Sequence, residues 1–283
     1  MEYSVPKLSI VFMSITALIG IAIPIVLFVI FRKKYKADIK PFFIGCATFV
    51  VFALFLERIA HSFILTSGAG KVIQNNIWLY GIYGGLMAGI FEETGRFFAF
   101  KNLLKKYNGN DMNSLMYGAG HGGIEALFIL IFSMISNIIM AVMLNNNMAE
   151  QLISGVTDEV QLQTLYKAFE TLAGTPSIDF LMAAIERLAA VAIHLSLSVL
   201  VWFAAKNGGK SFKFYPLAIL LHTVVNAFAV ILSKYVPSMW IVLFVIYVLS
   251  AGFVAIALKV WKKYSSVGIN TNDLDFTSSV REP

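Results

Sequence analysis

The chain has 283 residues, of which 58% are hydrophobic and 13% are charged, and its mean hydropathy is +0.77. A soluble domain carries about 25% charged residues, so this composition excludes an ordinary soluble globular protein. The net charge of +6 does not indicate a nucleic-acid partner, because the basic residues lie at the ends of apolar segments, where they are typical signals of membrane topology. The single cysteine, Cys46, excludes an internal disulfide and a cysteine-based zinc site.

Hydropathy along the chain predicts an all-α fold, a polytopic transmembrane helical bundle with about seven (seven or eight) spans in the cell membrane. Each apolar stretch is long enough to cross a bilayer, which takes about 20 helical residues. The first stretch is too long for the apolar region of a cleavable signal peptide, and its basic cluster follows rather than precedes it. The predicted spans are 8–31, 41–66, 77–100, 113–144, 180–205, 213–233 and 237–260.

The basic residues predict how these spans are oriented. Fourteen lysines and arginines follow spans one, three, five and seven, whereas four lysines lie in the segments on the other side. Because basic residues accumulate in cytoplasmic loops, we expect the N-terminus outside and the C-terminus in the cytoplasm.

The chain is expected to form a single transmembrane domain, residues 1–263, followed by a disordered cytoplasmic tail at 264–283 that is polar and aperiodic. Between spans four and five, the extracytoplasmic segment 146–179 carries apolar residues at helical spacing, with Thr157 as a candidate N-cap. This pattern predicts a short amphipathic helix. It would lie on the outer membrane surface or pack as an ordinary loop helix.

Span three contains two carboxylates and a guanidinium within five residues, Glu92, Glu93 and Arg96. A charged side chain at membrane depth costs at least ~2.5–3.5 kcal/mol on insertion scales, so such residues face the bundle interior and need partners there. Spans four, five and six supply the candidates, which are His121, Glu125, His194, His222 and Asn226.

These polar residues are predicted to lie at one depth. At a rise of 1.5 Å per residue, the carboxylates and histidines fall roughly 12–16 Å from the cytoplasmic ends of four spans. Glu125 follows His121 by four residues, and Asn226 follows His222 by four, so each pair shares a helix face. We therefore expect one polar cavity, and we expect it to open toward the cytoplasm.

Other charged residues of spans two and five lie nearer the outer face. Because their predicted depth differs from that of the main cluster, we expect them to form a separate layer of structural ion pairs. They are Glu57, Arg58, His61, Glu186 and Arg187.

A carboxylate among histidines in a dry cavity can act as a general base toward water, and a histidine or an amide can stabilise an oxyanion. The chain has no Ser-His-Asp arrangement, His-Glu-x-x-His motif or Walker loop. Imidazoles and carboxylates also bind zinc. Because no established ligand spacing is present, we expect no cofactor, and zinc stays the alternative. Its candidate ligands are Glu92, His121, His194 and His222.

Two noncatalytic functions also stay open. Intramembrane carboxylates and histidines occur in proton relays, but a proton-coupled transporter is expected to have internal repeats, which this sequence lacks. A noncatalytic scaffold could bind transmembrane partners in the same cavity.

Three short motifs resemble those of the type II CAAX protease (CPBP/Abi) superfamily. They occur in the order found there and span roughly residues 77–233. The stretch Glu92-Glu93-Thr94-Gly95-Arg96 resembles its Glu-Glu-x-x-x-Arg motif, Tyr117-Gly-Ala-Gly-His121 its aromatic-x-x-x-His motif, and His222-Thr-Val-Val-Asn226 its His-x-x-x-Asn motif. The branch that the chain resembles is the YhfC-type membrane peptidases, relatives of the PrsW proteases.

The resemblance implies an intramembrane endopeptidase acting on transmembrane or membrane-associated proteins or peptides within membrane lipid. Its catalytic water would be activated by Glu92 with help from His121, and Arg96 would orient the carboxylates. The implied oxyanion hole consists of His222 and Asn226, with Tyr117 and Glu125 as supporting residues.

The chain departs from the superfamily pattern at two positions. The glutamate–arginine spacing is one residue shorter, which favours pairing of Glu92 with Arg96 at i,i+4 and leaves Glu93 as an alternative base. His194 is not part of the three-motif pattern. Its placement resembles that of histidines on the late helices of the PrsW branch and of the noncatalytic scaffold subunit of gamma-secretase.

Overall fold

The computed structural model describes residues 3–265, which form an all-helical bundle without β-strands. The predicted fold class is thereby confirmed. In chain order the helices are α1 Lys7–Lys33, α2 Lys40–Phe49, α3 Arg58–Leu65, α4 Gly68–Gln74, α5 Ile77–Phe98, α6 Met112–Asn145, α7 Ala149–Ile153, α8 Glu159–Gly174, α9 Asp179–Asn207, α10 Phe214–Tyr235 and α11 Met239–Tyr264.

Short segments of other helix types connect some of these helices. The π-helical segment Val50–Glu57 joins α2 to α3, so that Lys40–Leu65 is one continuous helix. A second π-helical segment, Ala99–Leu103, extends α5, and 3-10 turns precede α6 and α10.

Six helices in the described part of the chain are long and apolar enough to cross a membrane. Their bounds are Lys7–Lys33, Lys40–Leu65, Met112–Asn145, Asp179–Asn207, Gly209–Tyr235 and Met239–Tyr264. The remaining predicted span corresponds to α5, whose 22 residues are also sufficient in length. Its glutamates and arginine make it less apolar, and they are buried in the bundle.

Helix α9 lies at the centre of the bundle and is the most buried of the long helices. It packs against α6, α11, α1 and α10, while α5 packs along α10 and α6 packs along α1 and α2. The helices that carry the candidate polar residues, α5, α6, α9 and α10, are therefore neighbours around one interior.

Glycines permit this close packing. A Cβ on Gly122 of α6 would come within 2.9 Å of His194 Cβ on α9, and a Cβ on Gly85 of α5 would come within 2.3 Å of the Thr223 carbonyl oxygen on α10. The glycines around His121 therefore serve close helix approach, as small residues often do in membranes. Helix α6 continues unbroken for 34 residues, about 51 Å.

The predicted loop helix is α8, and it packs against the protein. Phe169 and Leu172 are buried, and the Phe169 ring lies 5.6 Å from the ring of Tyr3. The prediction that Thr157 caps this helix is wrong, because the Asp158 carboxylate accepts the Gln161 N–H at 2.8 Å. The predicted tail, 264–283, lies outside the described residues except for its first two positions.

Candidate functional site

Adjacent glutamates on α5 have different partners. Glu93 is completely buried, forms an ion pair with Arg96 one turn along, and accepts a hydrogen bond from His222 Nδ1 at 2.8 Å. Glu92 Oε2 lies 2.8 Å from Nε2 of the buried His121. The predicted pairing of Glu92 with Arg96 is therefore wrong, because the Arg96 guanidinium pairs with Glu93 and Glu92 pairs with His121.

The contacts of the two ring nitrogens of His194 indicate its tautomer. Arg96 Nη2 lies 3.1 Å from His194 Nδ1, and a guanidinium can only donate. Nδ1 therefore accepts, and we infer that Nε2 carries the proton. His194 Nε2 lies 2.5 Å from Glu125 Oε2, which is suited to receive that hydrogen.

The same reasoning applies to His222. Its Nδ1 faces the Glu93 carboxylate, which is held ionised by Arg96 and can only accept. The proton is thus on Nδ1, and Nε2 presents its lone pair. That Nε2 lies 4.0 Å from Glu92 Oε1, and His194 Nδ1 lies 3.9 Å from Glu92 Oε2.

Three buried residues from three helices can therefore offer ligand atoms to one point. One ligand atom each from Glu92, His194 and His222 lies within 4.8 Å of the others. Two imidazoles and a carboxylate are a ligand set of catalytic zinc sites, where bonds of 2.0–2.2 Å place ligand atoms roughly 3.4 Å apart. Side-chain shifts of about 1 Å would suffice, so these residues fit a metal.

The surroundings of the two histidines strengthen this fit. Metal-binding histidines almost always donate their other ring N–H to a carboxylate, a carbonyl or water, which orients the ring. Glu93 accepts such a hydrogen bond from His222. Glu125 Oε2 lies 2.5 Å from His194 Nε2 and is the carboxylate in position to serve as the acceptor there. Arg96 Nη2 lies 3.1 Å from His194 Nδ1, the nitrogen that a metal would take, so a bound metal would displace this contact.

Three of the four candidate metal ligands converge, and His121 is the fourth. His121 hydrogen-bonds to Glu92, and its ring lies 5.1 Å from the His194 ring, but it is not in the convergent group. The Nδ1 atom of His121 is buried without a hydrogen-bond partner between residues 3 and 265.

Two other predicted residues have different surroundings from those expected. Asn226 is half-buried one turn from His222, and its side chain forms no hydrogen bond within the described part of the chain. The implied His222–Asn226 oxyanion hole stays a prediction. Tyr117 is fully buried and packs its ring 4.5 Å from Phe100 and 5.9 Å from His121.

The expected separation of the outer ion pairs from the site is wrong for Glu186 and Arg187. Arg187 forms an ion pair with Glu186 and contacts Glu125 Oε1 at 2.8 Å. Because Glu125 also contacts His194, the outer layer on α9 is joined to the site through one carboxylate. Glu125 follows His121 by four residues on α6. It therefore lies one helical turn farther toward the outer face, where it contacts Arg187.

A cavity of about 530 Å³ reaches Glu92 and Glu125. The expected opening toward the cytoplasm is wrong for this cavity, because it extends along α3 and α5 toward Leu65 and Tyr80, at helix ends predicted to be outside. Glu57, Arg58 and His61 also line it, so they share a space with Glu92. The other lining residues are Phe49, Ala53, Leu54, Tyr83, Gly84, Phe128, Ile129 and Val230.

Comparison with known proteins identifies a membrane-protein family. The family described as "YhfC intramembrane metalloprotease" matches residues 19–248. The "Uncharacterized membrane protein YhfC" of Bacillus subtilis (strain 168) is 40% identical over 228 residues, which are 80% of this chain and 86% of that protein. No solved structure matches. Together with the six apolar helices among residues 3–265, the similarity to YhfC identifies the chain as a multi-pass membrane protein. The wider placement in the CAAX and PrsW superfamily stays a prediction.

Proposed function

Because this chain belongs to the YhfC family, we propose that it is a metal-dependent intramembrane protease, with zinc held by Glu92, His194 and His222. The sequence favoured a glutamate-activated water without a cofactor, and zinc was the alternative. The observation that favours zinc over a metal-free mechanism is the pairing of His194 and His222. One ring nitrogen of each contacts a carboxylate, Glu93 or Glu125, and the other lies within 4.0 Å of Glu92.

A divalent metal in this position supplies Lewis-acid chemistry, since it polarises a peptide carbonyl and makes water more acidic. The remaining steps belong to residues of the chain. Glu93 and Glu125 hold the two imidazoles in the tautomers that present their lone pairs inward. Arg96 keeps Glu93 ionised through their ion pair.

We assign the positioning of Glu92 to His121. His121 Nε2 lies 2.8 Å from Glu92 Oε2, so a hydrogen on that nitrogen orients the carboxylate. The Nδ1 atom of His121 is buried and has no hydrogen-bond partner within residues 3–265.

A metal-free mechanism has one observation in its favour, namely the hydrogen bond between Glu92 and His121. However, its oxyanion hole requires His222 to donate a hydrogen bond, and Nε2 presents a lone pair when Nδ1 donates to Glu93. The Glu93–His222 and Glu125–His194 pairs also have no role in that mechanism. The metal mechanism uses both pairs.

Metal content of the purified, detergent-solubilised chain tests the proposal. We expect about one zinc per chain, lost in His194→Ala and in His222→Ala because each removes a ligand. The chain has four histidines, and His61→Ala is the matched control, since His61 pairs with Glu57 and Tyr83 instead. His121→Ala should retain zinc. Wild-type protein that cleaves a substrate without any bound metal would contradict the proposal.

A further inference from the structure

The cavity in the outer half of the bundle has features that neither the metal ligands nor helix packing explain. Glu92 and Glu125 form part of its inner lining, and a second polar group lies farther out. In that group His61 contacts Tyr83 at 2.8 Å and Glu57 at 3.1 Å. The cavity therefore connects the candidate site to the helix ends that the basic residues predict to be extracytoplasmic.

Three glycines of α5 lie beside this cavity and have different surroundings. Added Cβ atoms at Gly81 and Gly85 would come within 2.9 Å and 2.3 Å of atoms on α10, so packing requires both glycines. Gly84 lies between them in sequence, and a Cβ there would meet nothing within 4 Å. Gly84 lines the cavity, so any side chain at this position would reduce its volume.

The wall opposite α5 is the π-helical segment Val50–Glu57, which contributes Ala53, Leu54 and Glu57. π-Helical turns are rare and are frequently found at functional sites. Leu54 and, on α6, Ile129 line the cavity and are 39% and 45% exposed. The cavity thus has an apolar edge that faces the surrounding lipid, whereas its interior carries Glu57, His61 and Tyr83.

We propose that this cavity is the substrate cleft, and that it receives an unwound polypeptide segment from the outer half of the membrane. The proposal rests on the proposed protease function and specifies how the substrate reaches the site. The apolar edge at Leu54 and Ile129 admits a membrane-borne chain, and the polar interior meets the backbone groups that unwinding exposes, which are costly to leave unpaired in lipid.

The volume of the cavity limits how much of a substrate it can hold. One turn of a helix about 10–12 Å wide and 5.4 Å high occupies roughly 400–600 Å³, comparable with the 530 Å³ available. The cleft therefore holds only about three or four residues. Glu92 lies 15 residues from Ile77 at the outer end of α5, a distance of about 22 Å along the helix.

Accessibility of a cysteine at position 84 tests the cleft without any need for catalysis. In a Cys46→Ala background, which removes the single native cysteine, Gly84→Cys is treated with a membrane-impermeant maleimide. Intact cells expose the outer face and inverted vesicles the cytoplasmic face. We expect labelling in intact cells and none in inverted vesicles. Labelling from the cytoplasmic face, or from neither face, would overturn the proposal.

The matched control is Gly252→Cys in the same background. Gly252 on α11 is also a helical glycine with open space around an added Cβ, but it is exposed on the outside of the bundle near the middle of its helix. Lipid should cover a cysteine there, so we expect no labelling from either side. Ala53→Cys, on the opposite wall of the cavity, should match Gly84→Cys.

Zinc content of the same variants separates this proposal from the proposed function. If position 84 is labelled from outside but the protein binds no metal, the proposed cleft is supported and the proposed metalloprotease function is contradicted. Normal zinc content without labelling at positions 84 and 53 would contradict the cleft and leave the proposed metalloprotease function standing.

Discussion

The chain contains two clusters in which a histidine meets a glutamate, and they differ in how many helices supply them. In the outer cluster, His61 pairs with Glu57 four residues earlier on the same continuous helix, and a quarter of its side chain is exposed. In the inner cluster, residues from α5, α6, α9 and α10 meet, and each histidine is nearly or completely buried. Pairing within one helix needs only i,i+4 spacing, whereas convergence from several helices requires the whole bundle.

This difference indicates which cluster can perform chemistry. A local pair satisfies its own hydrogen bonds, but it offers a metal at most two ligands from one turn. The inner cluster provides three ligands and a carboxylate behind each of two histidines. Four substitution pairs, from the largest expected effect to the smallest, test that contrast.

The largest effect is expected for Glu92→Gln compared with Glu57→Gln. Glu92→Gln removes a charged ligand while keeping its shape, so cleavage should fall by a factor of about 10³ or more and zinc should be lost. The magnitude is comparable with the loss of an essential catalytic group. Glu57→Gln should change cleavage less than about tenfold. Cleavage rates of one reporter substrate, together with zinc analysis, measure both, and equal losses would remove the distinction between the clusters.

A smaller effect is expected for the carboxylates behind the histidines. Glu125→Gln should weaken zinc binding about 10–100-fold, which is typical of the loss of a hydrogen-bond partner of a ligand. Glu186→Gln is the matched control, because Glu186 also pairs with Arg187 but does not contact a ligand in the described residues. Competition with a metal-binding dye gives both affinities. Similar weakening in the two variants would mean that Arg187, rather than the contact with His194, is responsible.

Filling the cleft should reduce cleavage while leaving metal binding intact. Gly84→Phe projects a ring into the cavity and should lower cleavage by about a hundredfold, since small misplacements of a reacting bond can have that effect. Gly252→Phe, on the exposed surface of α11, should have little effect. If Gly84→Phe cleaved as well as the wild type, the substrate would not occupy this cavity.

The smallest effect is expected from packing alone. Gly122→Ala places a methyl group within 2.9 Å of His194 Cβ, and overpacking of this kind typically destabilises by about 1–3 kcal/mol. The same substitution at Gly252 meets open space and should be neutral or slightly stabilising, since alanine favours helix. Thermal unfolding in detergent compares the two variants. Identical transitions would show that α6 can move away from α9.

Much of the fold could be predicted from the sequence, because a membrane span is a local property. Span one was predicted at 8–31 and is found at Lys7–Lys33, and span four at 113–144 is found at Met112–Asn145. The charged residues of span three were expected to face the interior, and Glu93 and Arg96 are indeed completely buried.

The metal ligands and the direction of the cavity could not be predicted in the same way. Glu92, His194 and His222 lie on three helices and have no fixed spacing, so no local motif indicates them. Depth along a helix also does not specify rotation about its axis. That rotation decides that Arg96 meets Glu93 rather than Glu92, and that Glu125 reaches both His194 and Arg187.

X-ray absorption at the zinc edge of the purified chain tests the central claim most directly. We predict a first shell of nitrogen and oxygen ligands at about 2.0–2.2 Å with two imidazoles and no sulfur. The spectrum should be unchanged in His121→Ala and in His61→Ala and should be absent in His222→Ala. A spectrum that loses an imidazole in His121→Ala but not in His222→Ala, or an active protein without zinc or another metal, would contradict the account.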